Sequence, residues 1–370
     1  MWKRIFRRET DFENETGAVK PPFLICITDE PKSGLARDLG DRLQSRNVPF
    51  GTSGDLRIGT LCLVEKRKFM IKKIAVVNDL SGFGKCSLTA AIPVIAAMGV
   101  QPCPLPTAVL SAQTGFPSYF YDDYTEKMEK IRAEWEKMDV HFDGIYTGFA
   151  GNEAQIGQML RFLDTFYKKG AFLLVDPIMG DEGKIFSIFT PELLVGMKEL
   201  AGEADLITPN LTELCLLTGT DYRMLEQMTD EKHLVTIAEQ MGQNFLRKGS
   251  NSHVKKAVVV TGIRFKDETT GAMKIGNLVV TKRQTKLLAF PYIGGSFSGT
   301  GDLFASILAG GMARGEDLFE TVELAGTLIG AAMADAAEEK VPRNEGANYE
   351  KYLGMLIPSA DWKNFGKRGA

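Results

Sequence analysis

The 370-residue sequence predicts an α/β fold, a doubly wound, mostly parallel sheet flanked by helices. Two observations carry this expectation. Short apolar runs, most ending at a polar or small residue, recur at 74–77, 144–147, 172–175, 206–207 and 257–260. Strands buried under helices on both faces have this continuous apolar character. Between them stand amphipathic stretches at 123–138, 153–169, 191–200 and 231–247, and two more, 302–314 and 318–338, close the domain. Alternation of this kind builds parallel sheets from βαβ units, whose ligands bind beyond the carboxyl ends of the strands. Two late runs, 275–281 and 285–290, flank Lys282-Arg283-Gln284 and read instead as an antiparallel hairpin.

The pattern is clean from Met70 to about residue 358, leaving a short tail at 359–370. Residues 1–69 are mixed: one possible strand (23–27), one leucine stripe (Leu35, Leu39, Leu43) and a net charge of +3 against −6 for the rest. One strand and one helix do not close a core. The segment therefore reads as an extension, either an over-called start upstream of Met70 or a piece that docks on the main domain or on a partner.

Composition narrows the function. Apolar residues are 44%, charged residues 25%, and the net charge is −3, so nothing favours nucleic acid or an anionic membrane surface. No apolar run reaches the ~18–20 residues of a membrane span. The basic start (Lys3, Arg4, Arg7, Arg8) runs into Glu9 and Asp11 rather than an apolar stretch, so it is not a signal peptide, and a cytoplasmic location is expected. Cys26, Cys62, Cys86, Cys103 and Cys215 form no C-x-x-C pair and read as free thiols in a reducing compartment. His141, His233 and His253 carry no assignable chemistry, which removes a Ser-His-Asp arrangement.

Five segments bear polar groups at strand ends. Ser81-Gly82-Phe83-Gly84-Lys85-Cys86-Ser87 fails the Walker A spacing, because Asp79 stands in the place of its first glycine and Cys86 follows the lysine. What remains, Asn78 to Gly84, is a strand-to-helix turn open to a small ligand or serving only its own backbone geometry. Gly294-Gly295-Ser296-Phe297-Ser298-Gly299-Thr300-Gly301-Asp302 opens a helix. Its successive N–H groups and the helix dipole make an anion hole, with Asp302 either a helix-capping group or a base beside it. Thr208-Pro209-Asn210-Leu211-Thr212-Glu213 fits a capping box from Asn210 to Glu213, a role compatible with binding. Asp176-Pro177-Ile178-Met179-Gly180-Asp181 sets two hard-oxygen carboxylates after a strand, which suits Mg²⁺ or a simple turn. Ser111-Ala112-Gln113-Thr114-Gly115 is a weak polar patch.

In this order the four stronger motifs resemble the ribokinase superfamily and, within it, the vitamin B6 kinases, over about residues 70–358. The resemblance implies ATP-dependent phosphorylation of a hydroxymethyl group on a B6 vitamer. It implies Asp302 as the catalytic base, and Gly299, Thr300 and Gly301 as the phosphoryl anion hole. Asp176, Asp181 and Glu213 would sit on Mg²⁺ or its waters, and Asp176, Thr208, Asn210, Glu213, Thr261 and Gly262 would line the ATP site. Thr114 and Gly115, with Asp79, Ser81, Phe149 and Asp302, would face the small-molecule substrate. Stimulation by K⁺ and a homodimer are implied by resemblance alone. Phe149 falls where many B6 kinases carry Tyr, and Asp79 where several place Ser. The run from Asp79 to Gly84 also resembles hydroxymethylpyrimidine kinases of thiamin synthesis, which keeps that substrate as an alternative. A binding regulator on a retired kinase fold is the non-enzymatic alternative.

Overall fold

In the computed structural model, residues 71–228, 231–248 and 257–358 are described. The extension expected over 1–69, the boundary residue Met70 and the tail over 359–370 lie outside the described residues. Nine strands form one sheet: β1 (Lys73–Ser81), β2 (Gln101–Leu110), β3 (Tyr121–Asp123), β4 (Gly144–Thr147), β5 (Phe172–Val175), β8 (Leu206–Ile207), β9 (Ala257–Lys266), β10 (Met273–Thr281) and β11 (Thr285–Pro291). Their spatial order is β11-β10-β9-β8-β5-β4-β1-β2-β3. The central pairs are parallel, and β3, β10 and β11 add antiparallel edges. A separate two-stranded hairpin, β6 (Gly180–Asp181) and β7 (Lys184–Ile185), projects after β5.

The helices are α1 (Ser87–Ala97), α2 (Thr125–Lys137), α3 (Glu153–Phe166), α4 (Pro191–Glu203), α5 (Leu211–Thr218), α6 (Tyr222–Glu226), α7 (Glu231–Lys248), α8 (Thr300–Arg314) and α9 (Leu318–Glu338). Side chains alternate across a pleated strand, so each apolar run feeds two cores. Ile74, Val76, Tyr146, Leu174, Leu206 and Val259 pack under α1, α8 and α9. Ala75, Val77, Ile145, Leu173, Val175, Ile207, Val258 and Val260 pack with residues of α2 to α7. The doubly wound expectation is met, and the runs at β4, β5 and β8 coincide with their strands.

Two expectations are corrected. β1 continues through Ser81, so Asp79 and Ser81 lie on a strand, past a register irregularity at Asn78/Leu80, and not in the turn. The turn is shorter, and α1 starts at Ser87. The second concerns β2, a ten-residue strand that is not among the apolar runs of the sequence. Pro102, Pro104 and Pro106 pair with Ile74, Val76 and Asn78 of β1. In a parallel ladder alternate residues direct their N–H to one side, and Gln101 N–H donates to the Lys72 carbonyl at 2.8 Å. The prolines therefore turn their missing donors away from β1, along a stretch that β3 does not reach. Among the described residues no helix is long and apolar enough to cross a membrane.

Candidate active site

The site lies at the carboxyl ends of β1, β4, β5 and β8, facing the N-terminus of α8. Gly299 caps α8 in the left-handed region (φ 81°), and a Cβ there would collide with the Lys85 carbonyl oxygen. Only glycine lets the turn that starts α8 pack on the turn that starts α1. The exposed end of α8 then presents the N–H groups of Gly299 to Gly301, and Asp302 follows in the first turn, 8% exposed. Lys85, the lysine of the failed Walker motif, donates instead to Asn348 Oδ1 (2.9 Å) and pairs with Glu350 (3.1 Å).

Asp302 is held by groups remote in sequence. Asn78 Nδ2, fully buried in β1 where its register with β2 shifts, donates to Asp302 Oδ1 at 3.0 Å. The same amide accepts from Phe149 N–H at 2.9 Å and from Asp79 N–H at 3.0 Å. A Cβ on Gly148 would lie 2.5 Å from Asn78 Nδ2, so this crossing of strand ends needs that glycine. Burial pushes the Asp302 carboxyl up to about 6, and the charge of Asp79 adds to this; the Ser87 N–H and Asn78 amide oppose it. An unperturbed aspartate, as the sequence alone suggests, titrates about two units lower. Asp79 is buried too and raised by desolvation, against hydrogen bonds from the Ser87 and Ser81 hydroxyls; Ser81 Oγ donates to it at 2.8 Å.

On the other side, Asp176 follows β5 and accepts from Thr208 Oγ1 at 2.8 Å. Burial, then the charge of Asp302, raises it to about 7. The capping box read from the sequence is present: Glu213 N–H donates to Asn210 Oδ1 (2.9 Å) and Asn210 N–H to Glu213 Oε2 (2.8 Å). Glu213 Oε1 also accepts from Met179 N–H at 3.1 Å. Burial and then Asp176 push Glu213 well above the usual range. Asn210 Nδ2 donates to the Gly180 carbonyl (2.8 Å), which fastens the β6–β7 hairpin to α5. Thr261 bridges Asn210 and its N–H donates to the Pro209 carbonyl at 2.9 Å; Gly262 follows at φ 74°. Asp176, Thr208, Asn210, Glu213, Thr261 and Gly262, expected on the nucleotide side, are thus brought together by the fold.

Not every expected residue converges. Asp181 is exposed on β6, its Oδ1 accepting from Glu182 N–H at 2.9 Å, and it does not join Asp176 and Glu213. Among the described residues no three acidic, His or Cys side chains form a metal-ligand set. Thr114 is exposed, and Gly115 is exposed within a hydrogen-bonded turn. Asn78 and Gln113 stand inside two of the segments quoted from the sequence, but no role for either follows from those segments; the fold alone brings Asn78 to Asp302 and Gln113 to Ser298.

Glu213, Asp176, Asp302 and Asp79 form a line of buried carboxylates, each raised by burial and three of them also by a neighbour in the line. Among the described residues no Lys or Arg pairs with any of them. Such a line tolerates ionisation only when a cation is supplied. Asp176 Oδ2 has no hydrogen-bond donor among the described residues and lies near Gly301 of α8, which fits a divalent cation carried in with phosphate.

A helix N-terminus built to receive an anion, with a buried carboxylate in its first turn, is phosphoryl-transfer geometry. The sequence profile of the phosphomethylpyrimidine kinase family matches residues 83–346. The chain belongs to that family. The ribokinase-like fold expected from the motifs is the one observed. A Bacteroides thetaiotaomicron protein provisionally named a phosphomethylpyrimidine kinase, solved with pyridoxal, is 33% identical with a TM-score of 0.69, over 78% of this chain and 96% of that one. Pyridoxal kinase from Lactobacillus plantarum is 27% identical with a TM-score of 0.66, over 78% and 97%. Pyridoxine/pyridoxal/pyridoxamine kinase of Bordetella avium is 26% identical over 72% of this chain and 87% of its own length.

Proposed function

We propose that this family member phosphorylates the 5′-hydroxymethyl group of a vitamin B6 vitamer with ATP, in salvage of pyridoxal 5′-phosphate. The observation that carries the reading is Asp302, a buried carboxylate oriented by Asn78 at the mouth of an anion-binding helix. The 33% identical neighbour solved with pyridoxal supports the choice of heterocycle.

In the reaction, Asp302 accepts the proton of the attacking hydroxyl. Asn78 and the Ser87 N–H hold the carboxylate in place for that proton. The N–H groups of Gly299, Thr300 and Gly301 stabilise charge on the transferring phosphoryl oxygens, because they are fixed in place before the reaction begins. Asp176 would hold Mg²⁺, with Glu213 acting through water; when bound, the ion neutralises phosphate charge. Asp79 and Ser81 on β1, and Phe149 after β4, face the heterocycle side. K⁺ stimulation, a homodimer and a cytoplasmic setting are parts of the same proposal that rest on family likeness.

Asp79-x-Ser81-Gly82-x-Gly84 and the family name favour a second reading, hydroxymethylpyrimidine phosphorylation. A coupled assay offering pyridoxal, pyridoxamine, pyridoxine and hydroxymethylpyrimidine separately decides between them. The expected result is a B6 vitamer as best substrate; a preference of about tenfold or more in kcat/KM for the pyrimidine overturns it. The regulator reading has less support, since the hydrogen-bonded carboxylate of Asp302 is of no use to simple nucleotide binding.

A further inference from the structure

Three turns of the chain meet on the side chain of Gln113. It is buried in the turn after β2, and its N–H donates to the Phe83 carbonyl at 3.0 Å. The Gly115 N–H finds its acceptor in Gln113 Oε1 at 2.7 Å, which sets the orientation of the amide. Nε2 then donates both to Ser298 Oγ (3.2 Å) and to the Asn344 carbonyl (3.1 Å). Asn344 returns a bond, its Nδ2 donating to the Gly115 carbonyl at 2.6 Å. A Cβ on Gly84 would lie 2.7 Å from Gln113 Cγ, so the stem of Gln113 fills the space a side chain at 84 would need.

Ser298 directly precedes Gly299-Thr300-Gly301-Asp302. Its own N–H donates to the Arg343 carbonyl at 3.1 Å, so it is held from two sides. The turn leading to it has Gly294 and Gly295 in left-handed conformations with open space around them. Glycines of this kind order a turn poorly by themselves, and the ordering falls to such cross-contacts. Phosphoryl transfer is sensitive to them, because a misplacement of about 1 Å can cost ~10²-fold in rate.

We propose that Gln113 is a positioning residue: its amide clamps the turn at 298–301 to the turn at 111–116. The clamp sets the separation between the substrate side and the phosphoryl-binding N–H groups. This rests on the kinase reading above but not on which heterocycle is bound.

The test compares wild type, Gln113→Ala, Gln113→Glu, Ser298→Ala and the Gln113→Ala/Ser298→Ala double variant. Kinetics are read on whichever of the four heterocycles the wild type phosphorylates, so a wrong vitamer leaves the test intact. Gln113→Glu keeps the acceptor for Gly115 but loses the donor to Ser298 and to the Asn344 carbonyl, which then faces a carboxylate oxygen. Both Gln113 variants should lose about tenfold or more in kcat with both KM values within about threefold of wild type. Ser298→Ala should lower kcat about threefold by itself and by less than about twofold in the Gln113→Ala background, since the contact is already gone. Unchanged kcat in the Gln113 variants, or effects that simply multiply, overturns the proposal. A raised heterocycle KM with normal kcat would make Gln113 a substrate contact and overturns it as well. If the Gln113 variants do not fold, Ser298→Ala decides, and wild-type kcat there is the overturning result. Amide hydrogen exchange at 299–301 in the full chain is read without turnover; it should quicken about tenfold in Gln113→Glu. Unchanged exchange overturns the clamp, and a wild type inert on all four heterocycles overturns only the kinase reading.

Discussion

Asp302 and Asp176 have the same side chain, but their surroundings give each a different dependence on pH. In the proposed reaction Asp302 serves as a base only when ionised, and burial has raised it to about 6. Activity is therefore lost as pH falls through that value, and the acid limb of kcat/KM should centre near 6 rather than near the ~3.9 of a free aspartate. Asp302→Asn should retain ATP binding by calorimetry yet lose at least ~10²-fold in kcat; turnover like wild type would remove Asp302 from its role. Asp176 is raised to about 7 in the folded chain, above its unfolded value. Its contribution to stability is thus fully present below the unfolded value and is lost as pH rises through about 7. Without ligand at pH 8 it is a buried charge that destabilises the fold. Asp176→Asn, which can still accept from Thr208, should raise the stability of the ligand-free chain by at least about 1 kcal/mol at pH 8 and abolish turnover. The difference should shrink as pH falls toward 4, as denaturant titrations at several pH values will show.

At the scale of elements, the start of α8 depends on backbone space more than on side chains. Gly299→Ala combines a left-handed φ with a collision against Lys85, and neither turn can withdraw without moving α1 or α8. A loss of about 3 kcal/mol or more is expected. Gly294→Ala, also left-handed but in open space, should cost only about 1–2 kcal/mol. Comparable losses at both positions would show that conformation, not packing against Lys85, fixes the turn. The same distinction explains what the sequence disclosed. β4, β5, β8 and the late hairpin are legible because burial writes apolar runs into consecutive residues, and in the hairpin a polar turn separates two of them. β2 was not, since its three prolines are tolerated only by the parity of its ladder with β1. Asp302, Asp176, Thr208 and Glu213 stood in local motifs and could be picked out. Asn78 and Gln113 stood in quoted segments too, but their roles were not legible: their contacts to Asp302 and Ser298 span 224 and 185 positions, and no local pattern encodes them.

For the whole molecule the question is how much chain the sheet requires. Both described cores are built from residues between Ile74 and Leu356, and every strand of the nine-stranded sheet lies between Lys73 and Pro291. β1 is an inner strand, paired on one side with β4 and on the other with β2, so its two ladders are satisfied from within 73–147. All the site groups, from Asn78 to Asp302, come from the same stretch. The third turn of the proposed clamp, at 343–346, also precedes residue 358. Residues 70–358 expressed alone should therefore unfold in one cooperative transition and keep kcat within about twofold of the full chain. The physical basis is that the apolar area that stabilises the sheet is already buried by helices of this interval. An insoluble or inactive product would mean that residues 1–69 complete a surface of the kinase domain, and the boundary at Met70 would have to be moved toward the N-terminus.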